Sequence, residues 1–439
     1  THCISSAASD VYKRQEFNSG MMFLLSSAFV FATAKIRFIS LIYNFLRIIL
    51  LKKKHLDCLR GSILTHLRKF VSSVPEYRRT SRGNFKHKLE DILMLVILGR
   101  LSKCITRAEI LQFGKHHLKR LQGKGLFPYG LPSAATLCRV FQSIDDEKMA
   151  ERMSAFADVF RKEISTTATD IICIDGKAMR GTLYDNGRNP DIVSAYSLGS
   201  GLTLATDICK EKSNEIKSVP RLLDKLDVSG CVVTADAMSF QKVIIDKIRD
   251  KGADFVIELK ANQRSLRYGL EDSIKTATPT DVYKEGPYLE HGRIESRICR
   301  IYRGEELIVD REKWNGNLTV IEIVTSTEKK SDGRSTSEQR LYISSLDSSA
   351  ERLSQITKQH WAIESMHWDL DRNLRQDSIK RKAERAARNL DTIQRMVLAL
   401  IAVWKNRRKK ISDKQKGTAE IIRELSVSFT NVLHFLAQK

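Results

Sequence analysis

Two stretches of the chain decide its fold: residues 170–177 read DIICIDGK, and residues 230–238 read GCVVTADAM. Each stretch is a short apolar run that ends in an aspartate, Asp175 in the first and Asp236 in the second. Short apolar runs bounded by turn residues are typical of strands buried inside a sheet. The sequence therefore predicts two buried strands, each with a carboxylate at its carboxyl end.

The residues between and after these strands predict the rest of a mixed sheet. Residues 191–211 read DIVSAYSLGSGLTLATDICKE, which predicts a hairpin that turns at Gly199-Ser200-Gly201. Helical spacing of apolar residues predicts helices at about 215–226 and around 243–248, and residues 255–257 predict one more strand. Three adjacent strands followed by helix, strand, helix and strand is the element order of the ribonuclease-H-like fold. We therefore expect an α/β fold with a ribonuclease-H-like catalytic core.

The composition favours a polyanionic partner. The 439 residues contain 74 Lys and Arg against 52 Asp and Glu, which gives a formal net charge of +22. Such an excess is most often matched by nucleic acid, although an anionic membrane surface would also attract it. The eight cysteines are scattered singly, with no Cys-x-x-Cys pair. This pattern argues for a reducing compartment and against a zinc cluster or a disulfide framework.

Residues 1–60 differ from the rest of the chain in their pattern of apolar and charged residues. The apolar run from Met21 to Ala34 is followed by Lys35 and Arg37, so it falls short of the about 20 uncharged residues that span a membrane. A signal peptide is one alternative, and translated upstream sequence is another, which we favour because nothing downstream resembles a secreted protein. We expect this leader to be non-native or dispensable, and we expect no stable membrane association.

Residues 63–165 have the pattern of a small helical domain. Leu131-Pro132-Ser133 predicts a helix stop followed by a helix start, with Ser133 as the N-cap. The domain could recognise DNA ends or could serve only for packing. A basic cluster favours DNA recognition; it comprises Arg78, Arg79, Arg82, Lys86 and Lys88.

The remainder of the chain predicts a β-rich insertion, a long helix and a basic tail. Short β-like runs, including 306–309, place the insertion at about 265–348 within a catalytic domain of 168–400. Residues 351–376 predict one long helix with an apolar stripe that His360 and His367 interrupt. Residues 401–439 predict a basic helical tail, with a run from Lys405 to Lys410 and a last helix near 420–437.

The two strand-end aspartates suggest metal-dependent phosphodiester chemistry. Two Mg²⁺ ions about 4 Å apart can activate a nucleophile and stabilise a leaving oxygen, and carboxylates from separate elements hold them. A third carboxylate should come from a later helix packed on the sheet. Glu364, in the stretch HWAIESMHWDLD, lies beside the apolar stripe, so we expect it to face the sheet edge rather than bulk water. His360, Glu364 and His367 could also be considered as a set of metal ligands, but they do not have the H-E-x-x-H spacing of zinc proteases. We expect the two histidines to pack around the site or in the core and not to bind a metal ion.

The chain resembles bacterial insertion-sequence transposases of the DDE type, in the group that contains the H-repeat-associated proteins. The resemblance covers about 66–400 and rests on stretches that occur in order: LPSAATLCRVF, IDGKAMRG, KSNEI, VVTADAM, LKANQ, HGRIESR and HWAIESMHWDLD. It implies a DNA transposase that binds element ends and performs strand cleavage and strand transfer. The implied catalytic and metal-binding residues are Asp175, Asp236 and Glu364, with two Mg²⁺ ions for which Mn²⁺ can substitute.

The resemblance also implies partners and a location. It implies double-stranded DNA as the partner, at element ends and at the target, a homodimer in the DNA complex, and a cytoplasmic, nucleoid-associated protein. Related transposases place a tyrosine, an arginine and a lysine around the glutamate, whereas this chain has Thr357, His360 and Asp371 at those spacings. A hairpin mechanism that depends on those three residues is therefore not carried over.

Six further residues are candidates for DNA contact. Lys260, Asn262 and Gln263 follow a core strand near the expected site, where phosphate contact and ordinary loop polarity are both open readings. His291 and Arg293 are implied by the resemblance alone, and His360 completes the set. Two other functions stay open: a transposase-derived DNA-binding protein or repressor without catalysis, and a cellular nuclease on the same fold.

Overall fold

The computed structural model describes most of the chain after residue 60. The described residues are 61–81, 85–164, 169–183, 187–209, 215–290, 292–309, 314, 317–331, 333–380 and 383–438. The prediction for residues 1–60 therefore lies outside them, as do His291 and Arg82. Ser62–Lys439 form one compact unit.

A nine-stranded mixed sheet forms the centre of this unit. Its strands are β1 (Ile171–Ala178), β2 (Asp191–Ser197), β3 (Leu202–Cys209), β4 (Val232–Ala235), β5 (Asp254–Leu259), β6 (Asp281–Glu290), β7 (Arg293–Arg303), β8 (Thr319–Lys329) and β9 (Ser335–Ser344). The order across the sheet is β3-β2-β1-β4-β5-β9-β8-β7-β6. The first three strands pair antiparallel, whereas β4 is parallel to both β1 and β5. This order of the first five strands confirms the predicted ribonuclease-H-like fold.

The core strands form at the predicted places, but the predicted end of the first strand at Asp175 is wrong, since β1 pairs with β2 as far as Ala178. All four residues of β4 are buried, as expected for a parallel strand that is covered on both faces. The hairpin β2–β3 turns at the predicted glycines, and Gly201 has a φ of +71°. That backbone conformation is open to glycine at little steric cost. The predicted hairpin is therefore confirmed.

Helices cover the sheet and build the N-terminal part. They are α1 (Ile63–Ser73), α2 (Leu89–Leu101), α3 (Arg107–Gln122), α4 (Ala134–Ser143), α5 (Asp146–Ile164), α6 (Glu215–Asp224), α7 (Lys242–Asp250), α8 (Arg264–Ser273), α9 (Gly304–Leu307), α10 (Ala350–Gln359), α11 (Ala362–Trp368), α12 (Glu384–Arg407), α13 (Ile411–Gln415), α14 (Thr418–Val427) and α15 (Phe429–Ala437). The side chain of Ser133 accepts a bond from the Thr136 amide, which confirms the predicted N-cap.

The N-terminal helices share one hydrophobic core with the rest of the unit. Nearly every residue of α2 is buried, because other helices surround it. Asn389, on α12, donates to the carbonyl oxygens of Phe141 at 2.9 Å and of Ile144 at 3.0 Å. These bonds fix α4 to the long helix that also packs on the sheet.

The β-rich insertion extends the core sheet. Its strand β9 pairs antiparallel with β5, and β8, β7 and β6 follow in order. The prediction of a β-like run at 306–309 is wrong, since Gly304–Leu307 form the short helix α9. The chain must turn here between β7 and β8, and the Gly304 amide donates to the Leu318 carbonyl at 2.7 Å to close that turn.

The prediction of a single helix over 351–376 is also wrong. Helix α10 ends at Gln359, α11 begins at Ala362, and a π-helical turn covers Asp369–Asn373. The break falls at His360 and Trp361, where His360 is hydrogen-bonded to strand β4 instead of continuing the stripe.

The C-terminal part differs from the predicted tail in two respects. Helix α12 runs through position 400, where a domain boundary was predicted. The helix predicted near 420–437 is two helices, because Ser428 is extended (φ −155°) and caps α15 with its side chain. Within the described ranges, no helix is long and apolar enough to cross a bilayer.

Candidate active site

The two predicted aspartates lie at the same edge of the sheet. Ile174 on β1 is registered with Ala235 on the parallel strand β4, so Asp175 and Asp236 are the next residues on neighbouring strands. Neighbouring strands are about 4.8 Å apart. Both aspartates are half-buried. Two carboxylates are thereby held side by side on rigid backbone.

Each aspartate is fixed by a local hydrogen bond. Asp175 Oδ1 accepts from the Gly176 amide at 2.8 Å. Asp236 Oδ1 accepts from the Ser239 hydroxyl at 3.3 Å, in the 3₁₀ turn that follows β4. Carboxylates held in this way need little reorganisation to bind a cation.

Glu364 lies on α11, which packs against β1, but it does not face the sheet edge as predicted. Its side chain is exposed, whereas Ile363, Met366 and His367 form the buried face of the helix. Successive helical residues are about 100° apart, which puts Glu364 at the margin of that face. The break before Ala362 sets this orientation, and the expectation that Glu364 avoids bulk water is wrong.

The three acids have the donor chemistry of a magnesium site but are not gathered into one cluster. Carboxylate oxygens are the ligands that Mg²⁺ prefers. Among the residues that the structure describes, no group of three His, Cys, Asp or Glu side chains stands close enough to hold a metal ion. The donor type therefore fits the ion, and two of the three carboxylates are adjacent: Asp175 within β1 and Asp236 directly after β4.

A neutral histidine borders Asp175. His367 is 9% exposed, and its Nδ1 lies 3.6 Å from Asp175 Oδ2. Burial lowers the pKa of His367 to about 3, and the cations Arg395 and Lys177 act in the same direction. The imidazole is therefore uncharged at neutral pH.

His360 is tied to the strand that carries Asp236. Its Nδ1 and Thr234 Oγ1, two residues before that aspartate, are 2.9 Å apart. Burial lowers the pKa of His360, although the nearby Asp236 opposes this shift. One ring nitrogen is thus occupied within the fold, which positions the side chain beside the site.

Sequence reasoning missed two cations, which contact Thr357 and Asp371. These are two of the positions at which this chain differs from related transposases. Arg297 on β7 donates to Thr357 Oγ1 at 2.7 Å. Lys177 on β1 lies 2.8 Å from Asp371 Oδ1 and 3.4 Å from Asp377 Oδ2, and its side chain is only 7% exposed. Both belong to stretches of the family resemblance, IDGK and HGRIESR, which is the signal that could have identified them.

Two of the predicted DNA-contact residues are hydrogen-bonded within the fold, and two are exposed to solvent. Asn262 donates to the Ala237 carbonyl at 2.7 Å and Gln263 to the Phe240 carbonyl at 3.0 Å. These bonds brace the turn that follows Asp236. Two further candidates are exposed: Lys260, which pairs with Glu258 at 3.0 Å, and Arg293, at the start of β7.

Comparisons with known proteins identify the family of the chain. A family model described as "Transposase DDE domain" matches residues 166–400, and one described as "DDE_Tnp_1-associated" matches residues 68–157. The chain is 32% identical over 360 residues to "Putative transposase YncI" of Escherichia coli O157:H7, covering 80% of this chain and 90% of that protein. It is 32% identical over 352 residues to "H repeat-associated putative transposase YhhI" of Escherichia coli K12, covering 77% and 90%.

Among solved structures, the chain is similar to a piggyBac transposase in a synaptic complex with hairpin DNA. The TM-score is 0.42 at 11% sequence identity, and the match covers 85% of this chain and 78% of that chain.

Proposed function

Because the chain belongs to the family of transposases with a DDE domain, we propose that it binds the ends of its insertion sequence and catalyses Mg²⁺-dependent strand cleavage and strand transfer. The observation that supports this most is that Asp175 and Asp236 directly follow Ile174 and Ala235, the last registered pair of the parallel strands β1 and β4, and that the helix carrying Glu364 packs on β1. Mn²⁺ should be able to replace Mg²⁺.

In this proposal Asp175, Asp236 and Glu364 hold the metal ions. When bound, two such ions activate a water or a 3′ hydroxyl and stabilise the leaving oxygen. His360 and the turn braced by Asn262 hold the surroundings of Asp236 in place. The exposed cations Lys260 and Arg293 contact the DNA backbone.

The chain acts on double-stranded DNA, as a homodimer in the DNA complex. Both ends of an element must be processed together, and one active site per end is the simplest arrangement. The net charge of +22 supports a polyanionic partner. Mass photometry of the protein with end DNA should show two chains per complex, and a single chain on paired ends would contradict the dimer.

The test is replacement of each acid by its amide, which removes the charge and almost preserves the shape. The DNA substrate carries the genomic sequence that flanks the reading frame. Asp175→Asn, Asp236→Asn and Glu364→Gln should each reduce the cleavage rate by about a thousandfold or more. A variant that combines two of these changes should lose little more activity than a single variant, because the residues act as one unit. DNA binding and folding should persist.

Two exposed acids away from the site provide matched controls. Asp250→Asn, at the end of α7, and Glu351→Gln, in α10, should keep cleavage within about twofold of the unmodified chain. Full activity of Glu364→Gln would remove that residue from the proposed triad.

A second function is favoured by one observation: within the described residues, Glu364 is exposed and is not clustered with the aspartates. A transposase-derived DNA-binding protein without catalysis would have this feature. Such a protein would bind the flanking DNA with the affinity of a specific binder and leave it uncut in both Mg²⁺ and Mn²⁺. Metal-dependent cutting would exclude it.

A further inference from the structure

A cavity among the N-terminal helices α2, α3 and α4 has no role in the proposed function. Its volume is about 390 Å³, within the range of small-molecule sites. Its walls are formed by helices α2, α3 and α4, by Ile379 and Lys380, and by residues from Ala383 to Leu390. The walls are largely apolar and include Val96, Ile110, Leu137, Phe141 and Leu390.

One buried charge lies in this apolar wall. Arg100, at the end of α2, is 2% exposed and lines the cavity. Its Nη1 donates to the Leu374 carbonyl at 3.4 Å, a long contact. In the part of the chain that the structure describes, its Nε has no hydrogen-bond partner. Burial lowers the pKa of Arg100 to about 10, so the guanidinium is still charged at neutral pH.

The carboxylate of Glu109 interacts with this charge electrostatically, but among the described residues no ion pair joins it to Arg100. Glu109 Oε2 accepts from the amides of Ile105 and Thr106, at 2.5 Å and 2.9 Å, and so caps the start of α3. Arg107 and Lys380, both exposed, add two more cations to the lining. None of the described residues that line the cavity is acidic. The cavity therefore combines an apolar wall with charges of one sign.

We propose that this cavity binds a small organic anion: a compact apolar body that ends in a carboxylate or a phosphate. The anionic end would pair with Arg100, because a buried guanidinium without a direct ion pair is unfavourable and an anion in the cavity would offset part of that cost. The apolar body would lie against Leu137 and Phe141. Arg107 and Lys380 would attract the anion to the opening.

The chemistry leaves two sources for such an anion, a nucleotide and a simple carboxylate. Isothermal titration with thymidine monophosphate and with benzoate tests both, and their neutral analogues, thymidine and benzamide, serve as controls. We expect at least one anion to bind and its neutral analogue to bind about tenfold more weakly or worse. Whichever anion binds more tightly identifies the source.

Arg100→Met keeps the volume and removes the charge, so it should weaken anion binding about tenfold or more. Arg139→Met, an exposed arginine on α4 that does not line the cavity, should leave binding unchanged. If Arg100→Met does not fold, Arg100→Lys retains the charge but loses the planar fork, and it should also weaken binding. Lack of binding by both anions, or unchanged binding in both Arg100 variants, would overturn the proposal. Because these titrations contain no DNA, their outcome is independent of transposase activity.

Discussion

Lys177 Nζ lies 2.8 Å from Asp371 Oδ1, and this contact joins strand β1 to the π-helical turn that follows α11. The lysine is two residues after Asp175, and the aspartate is seven residues after Glu364. Related transposases have a lysine at the position of Asp371. In this chain the residue at that position is an aspartate, and Lys177 on strand β1 places an ammonium group beside it.

Replacing Lys177 with methionine should destabilise the protein. The side chain is 7% exposed, and its loss leaves Asp371 and Asp377 close together without a cation. Burial already raises the pKa of Asp371, which Lys177 counteracts. Because the Asp371 side chain is 36% exposed, we expect a loss of about 1–3 kcal/mol, less than for a fully buried pair. Urea denaturation measures the change.

A double-mutant cycle provides the control for that substitution. Lys177→Met combined with Asp371→Asn should recover about 1 kcal/mol relative to the sum of the single changes. Lys225→Met, which breaks a more exposed pair with Asp207, should cost well under 1 kcal/mol. Strict additivity in the cycle would show that the two side chains are not coupled.

Thr234→Val should loosen His360 without changing the shape of β4. The hydroxyl lies 2.9 Å from His360 Nδ1, and Thr234 is 1% exposed. Loss of the bond leaves a buried ring nitrogen unpaired, with an expected cost of about 1–2 kcal/mol in the free energy of unfolding. The same substitution in a His360→Leu background should have a smaller effect. An equal effect in both backgrounds would rule out the bond as the cause.

Asp91→Asn should stabilise the protein, and the gain should be larger at high pH than in acid. Asp91 is 3% exposed, and burial raises its pKa even though it accepts a bond from the Phe127 amide at 3.0 Å. The folded state therefore holds the proton of the Asp91 carboxyl more tightly than the unfolded state does. The resulting contribution to the free energy of unfolding is fully present below the unfolded pKa and is lost as pH rises through the folded pKa.

Thermal melts of Asp91→Asn and the unmodified chain at pH 4 and pH 8 measure this effect. The amide still accepts the Phe127 bond but carries no charge, so the variant should gain about 1 kcal/mol at pH 8 and little at pH 4. Asp158→Asn, on α5, where partial burial also raises the pKa of a carboxyl, should show the same sign. A gain that is equal at both pH values would contradict a titrating origin.

DNA binding should depend strongly on salt. A chain with a net charge of +22 neutralises several phosphates and releases their counterions, and the slope of log affinity against log salt is about −0.9 per phosphate contacted. Fluorescence anisotropy between 50 and 200 mM salt should show a fall of about a hundredfold or more. A flat curve would show that this charge does not face nucleic acid.

Removal of residues 1–60 should leave folding and DNA cleavage intact. Ser62–Lys439 form a compact unit, and the Ile63 amide donates to the Gln438 carbonyl at 3.0 Å, which secures the first described helix. The melting temperature of the shortened chain should match that of the full chain. Loss of soluble expression on shortening would identify the leader as structural or as a true targeting signal.

The sequence by itself determined the core strands, the hairpin and the Ser133 cap. These features depend on near neighbours: an apolar run, glycines that allow a turn, and a hydroxyl three residues before the amide it caps. Because β1 and β4 are buried parallel strands, the position of an aspartate directly after each apolar run was enough to predict that both lie at one sheet edge.

Only the tertiary structure decided how the late helices present their side chains. The break at His360 depends on Thr234, 126 residues away, and the partners of Asp371 and Thr357 come from β1 and β7. A helical stripe in the sequence does not encode these distant bonds. Glu364 is exposed for this reason: the direction of a helix side chain is set by the surface on which the helix packs, and that surface is assembled from strands far away in the chain.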